Sequence, residues 1–442
     1  MRRIYPAFAY SDAPRANCWW DQTCELPRRP SLQSAQRCDV AIIGAGFTGL
    51  SAALHLAEAG VSVMVLESRH VGWGASGRNG GFCCLGGGML PNSALERKYG
   101  YEGRRDWRQA EIDAVRLVEE IIDRHGIEVD RHSTGETQLA HRPSDFSELQ
   151  RSIGRIEEDY GVSPALIART ELSDHGMSSD FHGALTLPIG FALNPRKYVN
   201  GLAKAAEASG AVVFHDTSVT EICRRDGGYL LRSPTAELRV EKVIIATNGY
   251  SSEDLPPWFA GRYMPTQSSI IVTRPLSHSE LSAQGWTTPQ ACYDTRHLLH
   301  YFRLMPDRRM LFGVRGGLLA NRASERRALQ RARHDFDEMF PAWENVETPH
   351  GWSGMVCIAR DRMPFVGTVP REPDMYVGLC YHGNGVAMAS YSGALLADLV
   401  LGQKTDRTYP AAMRSPLRQF EMGRFRRALM PFAYAGFALA DR

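Results

Sequence analysis

The period of apolar positions changes twice within one stretch, residues 38–67, CDVAIIGAGFTGLSAALHLAEAGVSVMVLE. Residues 39–43 are a short β-branched apolar run that reads as a buried strand. Leu50, Ala53, Leu54 and Ala57 then recur at helical spacing within residues 48–58, Gly60 ends that helix, and residues 61–66 return to a strand pattern. Gly44, Gly46 and Gly49 stand at G-x-G-x-x-G spacing where the first strand must turn into the helix, with Phe47 and Thr48 opening it. The first glycine permits the turn, the second lets the backbone approach a pyrophosphate, and the third lets the helix lie close on the sheet. Glu67 ends the second strand and Ser68 follows. An acid there accepts both hydroxyls of an adenosine ribose and repels a 2′-phosphate, which disfavours NADP. FAD and NAD share this cradle, so the unit implies a dinucleotide without choosing between them.

The same pattern reading carries down the chain. Residues 107–125 predict an amphipathic helix and residues 136–140 a strand, and Asn194 before Pro195 is a helix start. Residues 211–215 and 218–222 read as strands, and residues 242–250, KVIIATNGY, as a buried strand ending in a small polar turn. Residues 263–273, 298–304 and 309–314 would form one antiparallel sheet, and residues 376–380 a last parallel strand. His382-Gly-Asn-Gly-Val386 then turns into a helix over residues 388–401. Such a turn aims backbone amides and a positive dipole outward. Between strand and helix-prone sequence lies SRHVGWGASGRNGGFCCLGGG, residues 68–88, whose small residues can wrap a flat, phosphate-bearing ligand. That suits FAD better than NAD.

Composition narrows the partners. The 442 residues, 43% hydrophobic with 41 glycines, suffice for two or three domains with sizeable cores. Lysine plus arginine (51) nearly balance aspartate plus glutamate (49), so nucleic acid is not an expected partner. Nine cysteines without C-x-x-C pairs predict free thiols in a reducing compartment, and no metal-ligand spacing occurs. The first residues carry charge but are broken by Pro6, Tyr10 and Asp12, and no run is apolar enough to span a bilayer. A cytoplasmic protein is expected. The basic-apolar tail, with Arg424, Arg426 and Arg427 ahead of residues 431–440, either packs on its own domain or a partner subunit, the commoner use, or touches a membrane surface.

Gly74-Ala-Ser-Gly-Arg-Asn-Gly-Gly81 after the dinucleotide unit resembles the D-amino-acid-oxidase superfamily of flavoproteins, within it the branch of γ-glutamylputrescine oxidase and related amine oxidases. The resemblance runs from about Trp19 to the C-terminus and implies FAD bound non-covalently, since Asn79 stands where some relatives carry a linking histidine. It places Ala75, Ser76, Arg78, Asn79, Gly80 and Phe82 on the cofactor, together with the backbone of Val219. It adds Ala246, Thr247 and Gly249, then Gly354 in the stretch from Trp352 to Gly367, and Gly383, Asn384, Gly385 and Val386. The implied architecture is α/β plus α+β, a Rossmann-like FAD domain with an interleaved antiparallel-sheet substrate domain. The expected segments are an arm (1–36), the FAD domain (37–90, 194–250 and 350–423), the substrate domain (91–193 and 251–349) and the tail (424–442).

With FAD in place no acid-base dyad is needed, because the flavin accepts the electrons. No second nucleotide fingerprint follows a later strand, against an NADH-fed reductase, and Tyr381-His-Gly-Asn-Gly385 replaces the Gly-Asp motif of aromatic hydroxylases. The carboxylate-binding arginine of glycine- and D-amino-acid-type members is Val356 here, followed by Cys357, which argues against a simple α-amino acid. Tyr301 and Arg303 alternate onto one strand face, with Arg315 on the neighbouring strand. Facing inward they would hold an anionic substrate; facing solvent they are ordinary strand charges. His382 is a candidate for substrate contact or proton removal, or simply caps its turn. The expected reaction is oxidation of a C–N bond in a secondary amine, amino acid or polyamine conjugate, γ-glutamylputrescine-like or iminodiacetate/sarcosine-like, with O2 or another acceptor. A quinone-linked dehydrogenase and a non-catalytic FAD-holding subunit are the alternatives.

Overall fold

A computed structural model describes residues 1–317, 319–402 and 406–441. Residues 318, 403–405 and 442, which fall inside the expected domain ranges, lie outside the described residues. Two eight-stranded sheets organise the chain. In the first, Met375–Leu379, Glu237–Ile245, Gln36–Ile43, Val63–Leu66 and Val212–Phe214 run parallel in that order, with Phe365–Thr368 antiparallel at one edge. Central strands buried on both faces must be apolar throughout, as the run Val40–Ile43 is. Residues 218–220 are not a strand; Glu221–Arg225 pairs with Gly228–Arg232 in a hairpin hung on Glu237–Ile245.

Phe47–Glu58 packs on Gly385–Leu401 and Pro195–Ala208, the last capped by Asn194, whose side chain accepts from the Arg196 and Lys197 amides. Helix Asn92–His125, broken at Gly100, joins this same core through Leu95, Trp107, Val118 and Ile121. It was expected in the substrate domain. Its apolar stripe instead finds the helices that cover the first sheet.

The second sheet runs His350–Ala359, Tyr263–Val272, Met310–Arg315, His300–Leu304, Ala291–Asp294, Glu136–Leu139, Gly183–Leu187 and Ala165–Ala168. It is antiparallel except where Ala291–Asp294 meets Glu136–Leu139 in parallel, the seam between the two separate stretches of chain that build this sheet. His350–Ala359 pairs along ten residues with Tyr263–Val272, so the boundary expected at residue 350 falls after this strand. Helix Arg322–Met339 covers the far face over Phe336, Phe340 and Trp343, and the near face looks toward the first sheet.

A buried ionic clip ties that helix to the sheet. His300 meets Asp294 through Nδ1 (2.7 Å) and Asp335 through Nε2 (3.2 Å), with Arg296 on Asp294 and Arg331 and His334 near Asp335. Burial alone would lower the His300 pKa, but the bonds to both aspartates outweigh it and raise it. Its stabilisation is therefore complete below the ordinary histidine value of 6.5 and fades as pH rises through the raised value. His300→Asn should cost about 2 kcal/mol at pH 6 and less at pH 9. Paired thermal melts across that range test this; a pH-independent difference between the two proteins contradicts it.

The arm lies on the body as short helical turns. Trp20 is buried and donates to the Asn79 carbonyl (2.9 Å), while Trp19 stacks under Arg309. The tail packs on its own chain: Arg426 pairs with Glu253 (2.9 Å), and the Asp441 carboxylate accepts the His297 and Leu298 amides. Among the described residues no helix is long and apolar enough to cross a membrane.

Candidate active site

Between the two sheets runs a cavity of about 560 Å³. At one end the first glycine turn builds it. Gly44 adopts φ +106°, and a Cβ there would stand 2.9 Å from the Ala246 carbonyl oxygen. A Cβ on Gly46 would meet the Ser76 hydroxyl at 2.8 Å, the same hydroxyl that accepts the Phe47 amide. Glu67 accepts the amides of Ala45 and Arg69, both at 2.9 Å; burial raises its pKa against those bonds. Gly44, Gly46, Phe47, Thr48, Glu67 and Ser68 line the cavity, as do Val219, Ala246 and Thr247. Gly49 and Gly249 do not. Gly49 lets the helix touch the strand end, where a Cβ would come within 2.0 Å of the Gly44 carbonyl oxygen, and Gly249 packs against Met355.

The long loop forms one wall. Gly74, Ala75, Ser76, Arg78, Asn79, Gly80 and Phe82 line it. Asn79 locks the turn, donating to the Ala75 and Ser76 carbonyls and accepting the Gly81 amide. Gly81 (φ +75°) faces away, against the Leu193 carbonyl. Arg78 is buried over the Trp73 ring and donates to the Trp73 and Ser353 carbonyls, but its Nη2 has no partner. Gly354, Gly383, Asn384, Gly385 and Val386 close the opposite side. A glycine cradle beside two helix N-termini, plus a buried guanidinium nitrogen still to be satisfied, suits a dinucleotide with an extended polar ligand face.

Two expected catalytic residues take other roles. Arg303 shares the inward face with Tyr301, but its guanidinium does not line the cavity: Nε donates to Gly80 O (2.8 Å), Nη2 to Leu193 O (2.8 Å), and Nη1 meets His132 Nε2 (2.7 Å). It ties the sheet to the loop instead of gripping substrate. His382 lines the cavity, yet its Nδ1 donates to Gly87 O (2.9 Å) and its Nε2 accepts the Ala359 amide (3.1 Å). Burial holds its pKa down at about 4. A neutral imidazole with both nitrogens engaged anchors the turn and has no lone pair to take a proton.

What the sheet presents to the cavity follows from register. Tyr301 stands opposite both Tyr293 and Gly313; Arg315, two residues beyond Gly313, stands opposite Ser268; and Glu136 pairs with Ala291, two residues before Tyr293. All these side chains share one face. Ser268, Tyr293, Tyr301, Arg315 and Glu136 line the cavity. The Tyr301 hydroxyl donates to Ser268 Oγ (2.9 Å), which donates on to Val314 O. Glu136 and Tyr293 were missed because their strand pairing joins segments distant in sequence. Arg315 was legible in the sequence beside Tyr301 and Arg303, on the neighbouring strand. The arm also reaches the cavity through Met1, Arg3 and Tyr10.

The family model described as FAD dependent oxidoreductase, DAO, matches residues 39–399, and the chain belongs to that family. The protein is thus an FAD-dependent oxidoreductase. It is 31% identical over 432 residues to a probable oxidoreductase, OrdL, of Rhizobium meliloti (strain 1021), covering 96% of this chain and 97% of that one. The gamma-glutamylputrescine oxidoreductase of Escherichia coli (strain K12) is 29% identical over 422 residues, 93% of this chain and 95% of that one. In fold, the crystal structure of glycine oxidase from Geobacillus kaustophilus superposes with TM-score 0.70 at 21% identity, covering 86% of this chain and all of that one.

Proposed function

We propose that this protein oxidises the C–N bond of an amine, amino acid or polyamine conjugate, the imine product then hydrolysing to a carbonyl compound and an amine. The observation that carries this reading is the continuity of the cofactor cradle with a polar sheet face, in a chain akin along almost its whole length to a gamma-glutamylputrescine oxidoreductase. Bound FAD supplies a two-electron acceptor. The protein's part is to bind, orient and exclude water: Tyr301 and Phe82 meet edge to face (5.8 Å) as one wall, and Met355 and Val356 form the other. Among the described residues His382 is the histidine that lines the cavity and both its nitrogens are engaged, which agrees with a substrate amine that enters neutral and gives up its α-hydrogen with both electrons.

Non-covalent FAD is part of the reading. Asn79 has both side-chain atoms engaged, and the Cys357 thiol faces Cys380 Sγ at 3.5 Å. Acid precipitation should leave the yellow colour in the supernatant. The tail supports a second reading of the acceptor: Phe432 and Leu439, on the last helix, are 77% and 68% exposed, and a membrane-touching, quinone-linked dehydrogenase would use such a surface. An anaerobic panel of γ-glutamyl polyamines, iminodiacetate, sarcosine and D-amino acids, followed by flavin absorbance, tests the reaction. Bleaching by at least one amine is expected, and peroxide formed on adding air marks an oxidase. Turnover with dye or quinone alone marks the dehydrogenase, and no bleaching across the panel refutes both.

A further inference from the structure

We propose that the sheet face is a two-ended clamp for an elongated zwitterion, with Arg315 receiving a carboxylate at one end and Glu136 an ammonium or amine group at the other. It rests on the reading of the cavity as an amine site. Both side chains line the one cavity. Among the described residues no acid pairs with Arg315, whose guanidinium lies against the Gly383 turn, and no base pairs with Glu136. The two do not pair with each other. Glu136 is 8% exposed, and its neighbours with polar groups are the Cys84 thiol, Glu111 and Tyr293. Burial first, then Glu111, pushes its carboxyl up to about 7, against the Cys84 bond. A buried carboxyl with no countercharge is costly to ionise, and a cation arriving beside it removes that cost.

Register sets the length of the ligand. Three strand spacings separate Met310–Arg315 from Glu136–Leu139, about 14 Å. Arg315 bonds opposite Leu299, whereas Glu136, through Ala291, stands level with Arg303, which adds about 14 Å along the strands. The α-carbons therefore lie roughly 20 Å apart on the diagonal, an upper bound on the ligand, because both side chains reach in toward Cys84 and Tyr293 between them. An α-amino acid, whose charges hang on one carbon, reaches one end only. A carboxylate and an amine separated by an extended chain reach both, with Tyr301 and Tyr293 lying under the chain between them. The same logic explains why Val356 replaces a family arginine: the anion is received from another strand.

The test uses the FAD-loaded enzyme and three probes: γ-glutamylputrescine, its α-carboxamide, and 1,4-diaminobutane. Dissociation constants come from calorimetry and from flavin absorbance perturbation under anaerobic conditions, alongside kcat/KM. The wild type should bind the intact probe about 100-fold more tightly than the carboxamide. Arg315→Met should erase that preference and Arg315→Lys restore part of it. Glu136→Gln should weaken the intact probe about 10-fold while raising the melting temperature of the ligand-free enzyme. Equal binding of probe and carboxamide by the wild type overturns the clamp, as does unchanged discrimination in Arg315→Met. If nothing bleaches the flavin, the amine-oxidation reading falls, and the binding constants alone still decide the clamp. Should a variant fail to fold, the wild-type probe series decides it.

Discussion

Gly46→Val will give a folded, colourless protein. The position is not conformationally special, since the backbone there is extended, at φ −94°, and accepts any residue. What forbids a side chain is space: a Cβ would press on the Ser76 hydroxyl at 2.8 Å, and the branches beyond it would enter the cavity that Gly46 lines. Ser76 would have to release the Phe47 amide, so one contact breaks both the loop and the helix start. FAD affinity should fall at least about 100-fold, or about 2.8 kcal/mol. Adding FAD to apo wild type should raise its melting temperature, and adding it to the variant should not. Gly49→Ala is the contrasting change, because its Cβ would strike backbone at 2.0 Å and is expected to disrupt the domain itself. A yellow Gly46→Val protein with wild-type flavin content would remove the cradle from the account.

These glycines also show why the cofactor site was legible in sequence. The demands on Gly44 and Gly383 are local, set by a positive φ, and a local demand leaves a local mark, whereas Gly46, at ordinary φ, is fixed by the Ser76 hydroxyl of the following loop. Gly49 carries the same mark because it packs on the Gly44 backbone, Gly81 because a positive φ is joined to a close approach of the Leu193 carbonyl, and Gly249 because it packs on the Met355 and Cys357 side chains; the sequence does not separate these from ligand contact. The substrate end was hidden by a different kind of fact. Arg303 and Arg315 both sit on the inward face of neighbouring strands, and alternation cannot rank them. The choice is made by the Gly80 and Leu193 carbonyls, brought to Arg303 by a loop and a distant segment. Glu136 enters through a parallel pairing across more than a hundred residues that no turn signal announces.

Gly313→Val should cost about 100-fold in kcat/KM with flavin content unchanged, since small misplacements at a reacting centre have effects of that size. Valine suits a strand, and Gly313 is not at positive φ, so the backbone has no objection. The Tyr301 ring lies directly over Gly313, where a Cβ would come within 2.1 Å of Tyr301 Cζ. The ring must swing away, its hydroxyl must leave Ser268, and the tyrosine wall of the amine site must shift against Phe82. Tyr301→Phe separates the two losses, for it removes the hydroxyl and keeps the ring in place; a fall of about 10-fold or less is expected there. Overpacking should cost the valine variant about 1–3 kcal/mol of stability, which its melting temperature will register without abolishing the fold. If the valine variant turns over amines at the wild-type rate, Tyr301 is not part of the reacting site and the substrate lies elsewhere on the sheet.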